Sequence, residues 1–272
     1  MTDLILGHDP VVAVEIDKFC CDVLKKRKED GWFPNLHVWE GNIQMFDPSQ
    51  WQGKVDCIHA GWPCQDISVA GSGKGIQGER SGLWKEVVRI AGIIRPQYLF
   101  LENSPAITYR GLNVVITDLA RLGYDAVWAV IPASAVGAPH RRDRWWCLAK
   151  AADSKCEGLQ GTTKKGNTQP WWAPFILTGS SEILANADSV DASRLASEHE
   201  KSFDRRPIGL YNRAGGISEF NWWKIESNVG RVAHGVANRV DRIKALGNGW
   251  VPLQAALAFV LLYKLINSAH EE

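Results

Sequence analysis

The sequence lacks any apolar run long enough to cross a membrane, which takes roughly 18 consecutive apolar residues. Its longest candidate, residues 251–266, is interrupted by Gln254 and Lys264. The first ten residues carry no basic segment ahead of an apolar one, as a secretory signal would. We therefore expect a cytoplasmic protein that has no membrane partner.

The chain also lacks an excess of charge and any pair of cysteines with CxxC spacing. Its formal net charge is +1 and its pI is about 7.6, whereas a nonspecific DNA binder is usually more basic, so any contact with DNA must be local. Six cysteines occur in 272 residues, and a chain of this length needs no disulfide staples. We expect reduced thiols and no metal site.

A chain with 45% hydrophobic and 22% charged residues has the composition of a globular protein rather than a disordered one. Strand-like and helix-like segments alternate over its first half. This alternation predicts an α/β fold with a doubly wound, mostly parallel sheet, in which ligands bind at the carboxyl ends of the strands. The predicted strands are 11–15, 55–60, 98–102, 124–131 and 145–149, and the predicted helices are 17–28, 83–94 and 113–122.

The composition changes after residue 152, where Ser, Gly, Thr, Asn and Asp become frequent and the periodicity weakens. We predict a first domain over 1–152, a small irregular region over 153–230, and a third segment over 231–272. The third segment begins with basic residues and ends in a helix from Pro252 to about Ile266, since proline suits the first turn of a helix.

Cys64 directly follows a predicted buried strand at a proline turn, in Gly61-Trp-Pro-Cys-Gln65. A cysteine placed there can project into a cleft as a nucleophile, although a structural cysteine is the commoner case. The glycine-rich residues 71–82 follow, and such a loop can close over a substrate as a lid.

Glu102 ends a predicted apolar strand, so partial desolvation would raise its pKa and suit it to donating a proton near neutral pH. A carboxylate that caps a helix or binds a loop is the simpler interpretation of Glu102 alone. In an extended segment, His140, Arg142 and Arg144 share one face, and arginine offers donor forks to a carboxylate, a phosphate or a base edge. A solvated basic edge would carry the same residues.

Together these motifs resemble those of the DNA (cytosine-5) methyltransferases of the short bacterial and phage type. The resemblance covers residues 11–150 and 230–268 and implies the Rossmann-like fold of S-adenosylmethionine-dependent methyltransferases, with a role in DNA methylation and restriction-modification. It rests on four motifs in the family's order: Pro63-Cys64-Gln65, Glu102-Asn103-Ser104, His140-x-Arg142-x-Arg144 and Gly247-Asn248-Gly249-Trp250-Val251. The family usually has Glu-Asn-Val, Gln-x-Arg-x-Arg and Gly-Asn-Ser-Val at the last three.

The resemblance implies that Cys64 attacks carbon 6 of a cytosine flipped out of double-stranded DNA, which activates carbon 5 to take a methyl group from S-adenosylmethionine. Glu102 would hold ring nitrogen 3 and the exocyclic amine. Arg144 would hold the carbonyl oxygen, and Arg142 would position the site and favour its thiolate.

The same resemblance assigns the cofactor pocket. Glu15 would bind the ribose hydroxyls of S-adenosylmethionine, and Ile16 would pack against its adenine. Asn42 stands where the family usually has Asp, so its contact with the adenine amine is altered. The remaining pocket residues would be Ile43, Pro63, Leu83, Asn248 and Trp250.

Residues 153–230 correspond by this resemblance to a target-recognition region that reads the major groove, and 231–272 returns to the catalytic domain.

The family begins with a strand and a Phe-x-Gly-x-Gly loop, and nothing of the kind precedes Val11. An upstream start and a truncated gene are the favoured explanations, and a second chain that supplies the strand is the third. A sheet without that strand leaves unpaired backbone on its neighbours. We expect a monomer.

Two alternatives stay open at this point. One is a truncated, catalytically inactive relative that still binds DNA. The other is an unrelated cysteine enzyme, such as a thiol hydrolase, which would need His59 or His140 as a base beside Cys64. Neither histidine lies in a recognisable triad pattern.

Overall fold

A computed structural model describes residues 2–63, 83–152, 210–211, 217–218 and 239–268. Short 3-10 turns join several of its helices and strands. The helices and strands, in chain order, are α1 (Thr2–Leu6), β1 (Val12–Glu15), α2 (Lys18–Glu29), β2 (His37–Glu40), β3 (Cys57–Gly61), α3 (Trp84–Ile94), β4 (Tyr98–Asn103), α4 (Ile107–Arg110), α5 (Leu112–Arg121), β5 (Tyr124–Ile131), β6 (Arg144–Ala151), β7 (Leu210–Tyr211), β8 (Ile217–Ser218), α6 (Arg239–Asn248) and α7 (Pro252–Ser268).

Four strands form the central sheet in the order β3-β4-β6-β5. β3 and β4 are parallel, and Gly61 stands opposite Glu102. β6 is antiparallel to both of its neighbours. The link from β5 to β6 explains this reversal, because it contains only the 3-10 turn Ala133–Val136 and no crossover helix, which parallel neighbours require.

The core lies on both faces of this sheet. Leu99 and Leu101 of β4 belong to the apolar cluster that α3 and α5 cover, whereas Tyr98 and Phe100 belong to the cluster under α7. All four side chains are fully buried, and each such burial contributes about 1.5–3 kcal/mol. Helices on both faces of a mixed sheet form the doubly wound α/β fold that the sequence predicts.

β1 and β2 form a separate parallel pair, and within the described residues β1 has no hydrogen bond to β3. The helix α3 nevertheless packs against both sheets. Ile90 and Ile94 of α3 lie in one apolar cluster with Val14 of β1 and Ile58 of β3. Within the described residues, β1 therefore pairs only with β2, and β3 pairs only with β4.

The predicted helices 17–28, 83–94 and 113–122 correspond to α2, α3 and α5. Asp17 caps α2 as predicted, because its carboxylate accepts from the backbone N–H groups of Phe19 and Cys20. The sequence pattern does not predict α1 or β2. These elements have 5 and 4 residues, too few for a hydrophobic period to show.

By length and composition alone, the stretch Val240–Ser268 contains an 18-residue window apolar enough to cross a membrane, with a mean hydropathy of 1.6. The helix is interrupted between α6 and α7, where residues 249–251 are not helical. Ala255, Ala258 and Leu262 of α7 are completely buried against the sheet. Packing in the core accounts for the apolar composition of α7.

Candidate active site

Glu102 lies near the carboxyl end of β4 between two donors from distant parts of the chain. Its Oε1 is 2.9 Å from Nε of Arg144, and its Oε2 accepts a hydrogen bond of 3.2 Å from the indole Nε1 of Trp250. We call Glu102, Arg144 and Trp250 the carboxylate clamp. Only 14% of the Glu102 side chain is exposed.

Burial raises the pKa of Glu102 above its ordinary value, although Arg144, Trp250 and Arg142 act in the opposite direction. Desolvation disfavours the charged form of a carboxyl group, which is the reason for the shift. The direction agrees with the sequence-based expectation. A carboxyl group with a raised pKa can donate a proton to a ligand near neutral pH.

Gly61 lies close to two members of the carboxylate clamp. A Cβ at this position would lie 3.0 Å from Oε2 of Glu102 and 3.4 Å from Nε1 of Trp250. The first distance is tighter than nine in ten real Cβ contacts, and the second is at the edge of ordinary van der Waals contact. A larger residue at this position would therefore press on the carboxylate.

Arg142 joins the segment before β6 to the turn between α6 and α7. Its Nη2 donates to the carbonyl oxygens of Gly247 and Gly249, both at 2.7 Å. Its φ of 41° lies in the left-handed region, which side-chain-bearing residues rarely adopt. Asn248, between the two glycines, is exposed.

This backbone conformation corrects one expectation. An extended segment with His140, Arg142 and Arg144 on one face is wrong, because the left-handed residue interrupts the alternation and β6 begins only at Arg144. Arg142 and Arg144 still both act on the charge of Glu102. His140 is exposed.

Gln254 holds the backbone of Arg142 in place. It is completely buried in α7, and its Nε2 donates to the carbonyl oxygens of Ile131 at 2.8 Å and of Arg142 at 2.9 Å. One side-chain amide thus donates hydrogen bonds to two backbone carbonyl groups, one at the end of β5 and one at Arg142. In the sequence, Gln254 is seen only as an interruption of an apolar run, yet a polar residue inside such a run signals a buried hydrogen bond.

Asn103 connects the carboxylate clamp to the turn that carries Cys64. It is buried, and its Nδ2 donates to the carbonyl oxygen of Trp62 at 3.2 Å while its Oδ1 accepts from the backbone N–H of Ser104 at 2.8 Å. The Trp62 ring is buried and lies 4.8 Å from the ring of Trp84. The backbone two positions before Cys64 is therefore fixed relative to the end of β4.

Three of the predicted features lie wholly or partly outside the described residues. They are the nucleophile Cys64 with Gln65, the lid 71–82, and most of the target-recognition region 153–230. Pro63 is the last described residue before the first of these gaps, and Leu83 is the first described residue after it. Leu83 packs against the cluster under α3 and α5.

A second group of predicted residues lies at the carboxyl ends of β1 and β2. Glu15 accepts at Oε1 from the backbone N–H groups of Ile16 at 2.8 Å and Asp17 at 2.7 Å, and within the described residues both hydrogen bonds to this carboxylate use that oxygen. The Ile16 side chain is 68% exposed. The Glu15 carboxylate is therefore held in place beside an exposed apolar side chain.

Asn42 follows β2 and caps the 3-10 turn Ile43–Met45. Its Oδ1 accepts from the backbone N–H of Gln44 at 3.1 Å, and its Nδ2 donates to the side chain of the same residue at 3.2 Å. Ile43 packs partly into the apolar cluster under α3. Both polar atoms of the Asn42 side chain are therefore engaged locally.

α6 is held beside this group of residues by one ion pair. Nζ of Lys244 lies 2.6 Å from Oδ2 of Asp17, whose other oxygen caps α2. The bond brings the Gly247–Gly249 turn and the end of β1 into one region. The sequence pattern predicts the cap but not the ion pair, because 227 positions separate the two residues.

His59 does not support the hydrolase alternative. Its Nδ1 lies 3.2 Å from Oδ1 of Asp3, and its ring packs against Phe100 and Phe259 under α7. A side chain committed to these contacts is not presented as a base in an open cleft.

The family of the chain follows from comparison with known proteins. The family model for C-5 cytosine-specific DNA methylases matches residues 6–209. The chain belongs to this family. The match includes the carboxylate clamp residues Glu102 and Arg144, the Asn103 bridge and the proline turn before Cys64.

Curated members of the C-5 methylase family align with about half of the chain. The type II methyltransferase M.CviJI of Paramecium bursaria Chlorella virus IL3A is 36% identical over 151 residues, which are 55% of this chain and 40% of the viral protein. M2.BsuMI of Bacillus subtilis is 30% identical over 152 residues, 53% of this chain and 36% of that protein. The chain thus spans well under half of the length of these two relatives.

Solved structures that match part of the chain include a putative DNA modification methyltransferase encoded within an Escherichia coli prophage. It is 22% identical, with a TM-score of 0.45 over 58% of this chain and 44% of the other. The Dnmt2 methyltransferase of S. pombe is 16% identical, with a TM-score of 0.44 over 58% of this chain and 46% of the other.

Proposed function

We propose that this chain transfers a methyl group from S-adenosylmethionine to carbon 5 of a flipped cytosine in double-stranded DNA, and that it acts as a monomer. The carboxylate clamp carries the proposal. It is a buried carboxyl group with a raised pKa that is fixed by Arg144 and Trp250 at the strand end beside the Cys64 turn. Family membership supports the same reaction.

In the proposed reaction, the thiolate of Cys64 forms a bond to carbon 6 of the cytosine ring. The electron pair of the carbon 5–carbon 6 double bond then becomes available at carbon 5, and a proton at nitrogen 3 stabilises the electron-rich ring. Bound S-adenosylmethionine supplies an electrophilic methyl group. After methyl transfer, carbon 5 loses its proton, the carbon–sulfur bond breaks, and the thiolate returns.

Glu102 suits the protonation of nitrogen 3. Its raised pKa keeps a larger fraction of the carboxyl group protonated near neutral pH than an exposed glutamate would have. Each oxygen has one fixed donor partner and keeps a second lone pair or proton position for the base. The carboxyl group is thus oriented before the substrate arrives, which lowers the cost of reorganisation.

Arg144 is oriented in the same way. Its Nε faces Glu102, and its Nη1 donates to the carbonyl oxygen of Asp143 at 2.8 Å. These two contacts hold the plane of the guanidinium and leave Nη2 for the carbonyl oxygen of cytosine. Arg144 also places a positive charge near the ring, which favours the thiolate form of a nearby cysteine.

Glu15 and Ile16 are the residues we propose for the ribose and adenine, with Asn42, Ile43, Pro63, Leu83, Asn248 and Trp250 around them. The exposed side chain of Ile16 and the Oε2 atom of Glu15 fit these roles. Trp250 also belongs to the carboxylate clamp. It therefore links the residues proposed for the cofactor with those proposed for the cytosine.

The test is covalent trapping on duplex DNA that contains 5-fluorocytosine. In this base, fluorine replaces the carbon-5 hydrogen that must leave as a proton after methyl transfer, so the adduct persists. With S-adenosylmethionine present, the wild-type chain is expected to form a denaturant-stable complex with a pool of such duplexes. Cys64→Ser should abolish the adduct, and the matched control Cys20→Ser should form as much as the wild type.

Transfer of a labelled methyl group to unmodified genomic DNA is the second readout. If the wild-type chain binds DNA but yields neither adduct nor labelled DNA, the proposal is wrong and the inactive DNA-binding relative is correct. An adduct that survives Cys64→Ser would assign the nucleophile to another residue.

A further inference from the structure

A cluster of three ligand-type side chains lies two positions before Gly61 on the same face of β3. His59 projects from β3, and Asp3 and His8 reach it from α1 and the turn that follows. One ligand atom from each of the three lies within 4.8 Å of the other two. We call Asp3, His8 and His59 the triad cluster.

The turn after α1 brings Asp3 and His8 together independently of His59. Gly7, with φ of 71°, ends α1 in the left-handed conformation typical of a helix C-terminus. The chain therefore folds back, and the backbone N–H of His8 donates to the carbonyl oxygen of Asp3 at 2.8 Å. This turn orients both side chains toward the same side.

Aromatic packing holds the two imidazole rings. The ring centroids of His8 and His59 are 5.2 Å apart, and the His8 ring meets Phe259 of α7 edge-on at 5.1 Å. Oδ1 of Asp3 lies 3.2 Å from Nδ1 of His59. The three side chains are thus held within reach of one point.

Two imidazoles and one carboxylate form a donor set typical of zinc. Zinc bonds of roughly 2.0–2.2 Å in tetrahedral geometry place neighbouring ligand atoms about 3.4 Å apart. The Asp3–His59 separation of 3.2 Å already fits, and any separation near the 4.8 Å limit would have to shorten on binding, by up to about 1.4 Å.

We propose that the triad cluster binds a Zn²⁺ ion, which fastens α1 to β3. The sequence pattern predicts no metal site, because two of the ligands are separated from the third by about fifty positions and form no recognised spacing. Water is the expected fourth ligand.

The experiment titrates the chelator-stripped full chain with Zn²⁺ in competition with a chromophoric chelator. The wild type is expected to bind one equivalent. His8→Ala and the isosteric Asp3→Asn should each weaken binding by at least about tenfold, since even the loss of an outer-shell partner commonly costs that much. His37→Ala removes an exposed imidazole from β2 and is the matched control, with unchanged affinity.

Cobalt supplies a readout that does not depend on activity. Co²⁺ in a tetrahedral protein site gives intense visible absorption, which Asp3→Asn should weaken. Zn²⁺ should also raise the Tm of the wild type and not that of Asp3→Asn. The absence of stoichiometric zinc binding, or equal zinc affinity in wild type and both ligand variants, would overturn the proposal.

Discussion

Arg142 and Gly247 are 105 positions apart in sequence, yet Nη2 of the arginine donates to the glycine carbonyl oxygen at 2.7 Å. The same nitrogen binds Gly249. These two bonds join the segment that leads into β6 to the turn that carries Trp250. Arg142 therefore positions one donor of the carboxylate clamp indirectly and acts on the charge of Glu102 directly.

Arg142→Ala should destabilise the chain by about 2 kcal/mol, because it removes two charged hydrogen bonds and leaves two carbonyl groups to solvent. It should also lower methyl transfer, since Trp250 loses its fixed position. Urea unfolding and initial rates measure the two effects. Arg141→Ala is the control, because Arg141 is exposed and pairs only with Asp143 among the described residues.

Gly61→Ala tests the close approach at β3. A methyl group 3.0 Å from Oε2 of Glu102 requires the carboxylate to shift by a few tenths of an ångström, which would disturb its bond to Trp250. Since a displacement of about 1 Å at a reacting group can cost on the order of 100-fold in rate, this smaller shift should lower kcat on the order of threefold. Gly92→Ala is the control, since its Cβ would meet Leu122 at an ordinary 3.5 Å. Equal kcat for Gly61→Ala and the wild type would contradict this role.

The sequence predicts the parts of this fold that depend on local periodicity. α2, with its Asp17 cap, and α3 lie within a residue or so of their predicted bounds, since both present a clear apolar face or cap. The direction of β6 is not predictable in this way. It depends on a short link with no helix, and alternating patterns look the same in parallel and antiparallel strands.

Glu102→Gln separates charge from shape in the carboxylate clamp. A folded-state pKa raised above the unfolded value means that folding favours the protonated form. The group's contribution to stability is therefore fully present below pH 4.5 and is lost as the pH rises through the folded-state pKa. Glutamine, which never ionises, loses nothing over this range.

The unfolding free energy of Glu102→Gln should consequently move upward relative to the wild type between pH 4 and pH 8. Denaturant unfolding at a series of pH values measures this difference. Methyl transfer should fall strongly in the same variant, because an amide cannot give a proton to nitrogen 3. A difference that stays flat with pH, or shifts in favour of the wild type, would show that burial does not control this carboxyl group.

Some residues of the site are also predictable from the local sequence, whereas others depend on contacts between distant parts of the chain. The strand-end carboxylate Glu102 and the arginine Arg144 are predictable from motif and position. Their partner Trp250 and the bridge from Asn103 to Trp62 depend on how β3, β4 and α7 pack. Hydrogen bonds across 148 and 41 positions leave no local pattern in a single sequence.

Asn103→Asp tests whether that bridge positions the Cys64 turn. The change keeps the shape of the side chain but replaces the donor Nδ2 with an acceptor oxygen 3.2 Å from the Trp62 carbonyl oxygen. Two buried acceptors then face one another, so we expect a loss of about 1–3 kcal/mol in unfolding free energy. The turn should shift, and the rate of adduct formation with 5-fluorocytosine DNA should fall by about 100-fold. Asn113→Asp on the exposed face of α5 should leave both quantities unchanged. An Asn103→Asp chain that loses stability but traps DNA at the wild-type rate would limit Asn103 to a structural role.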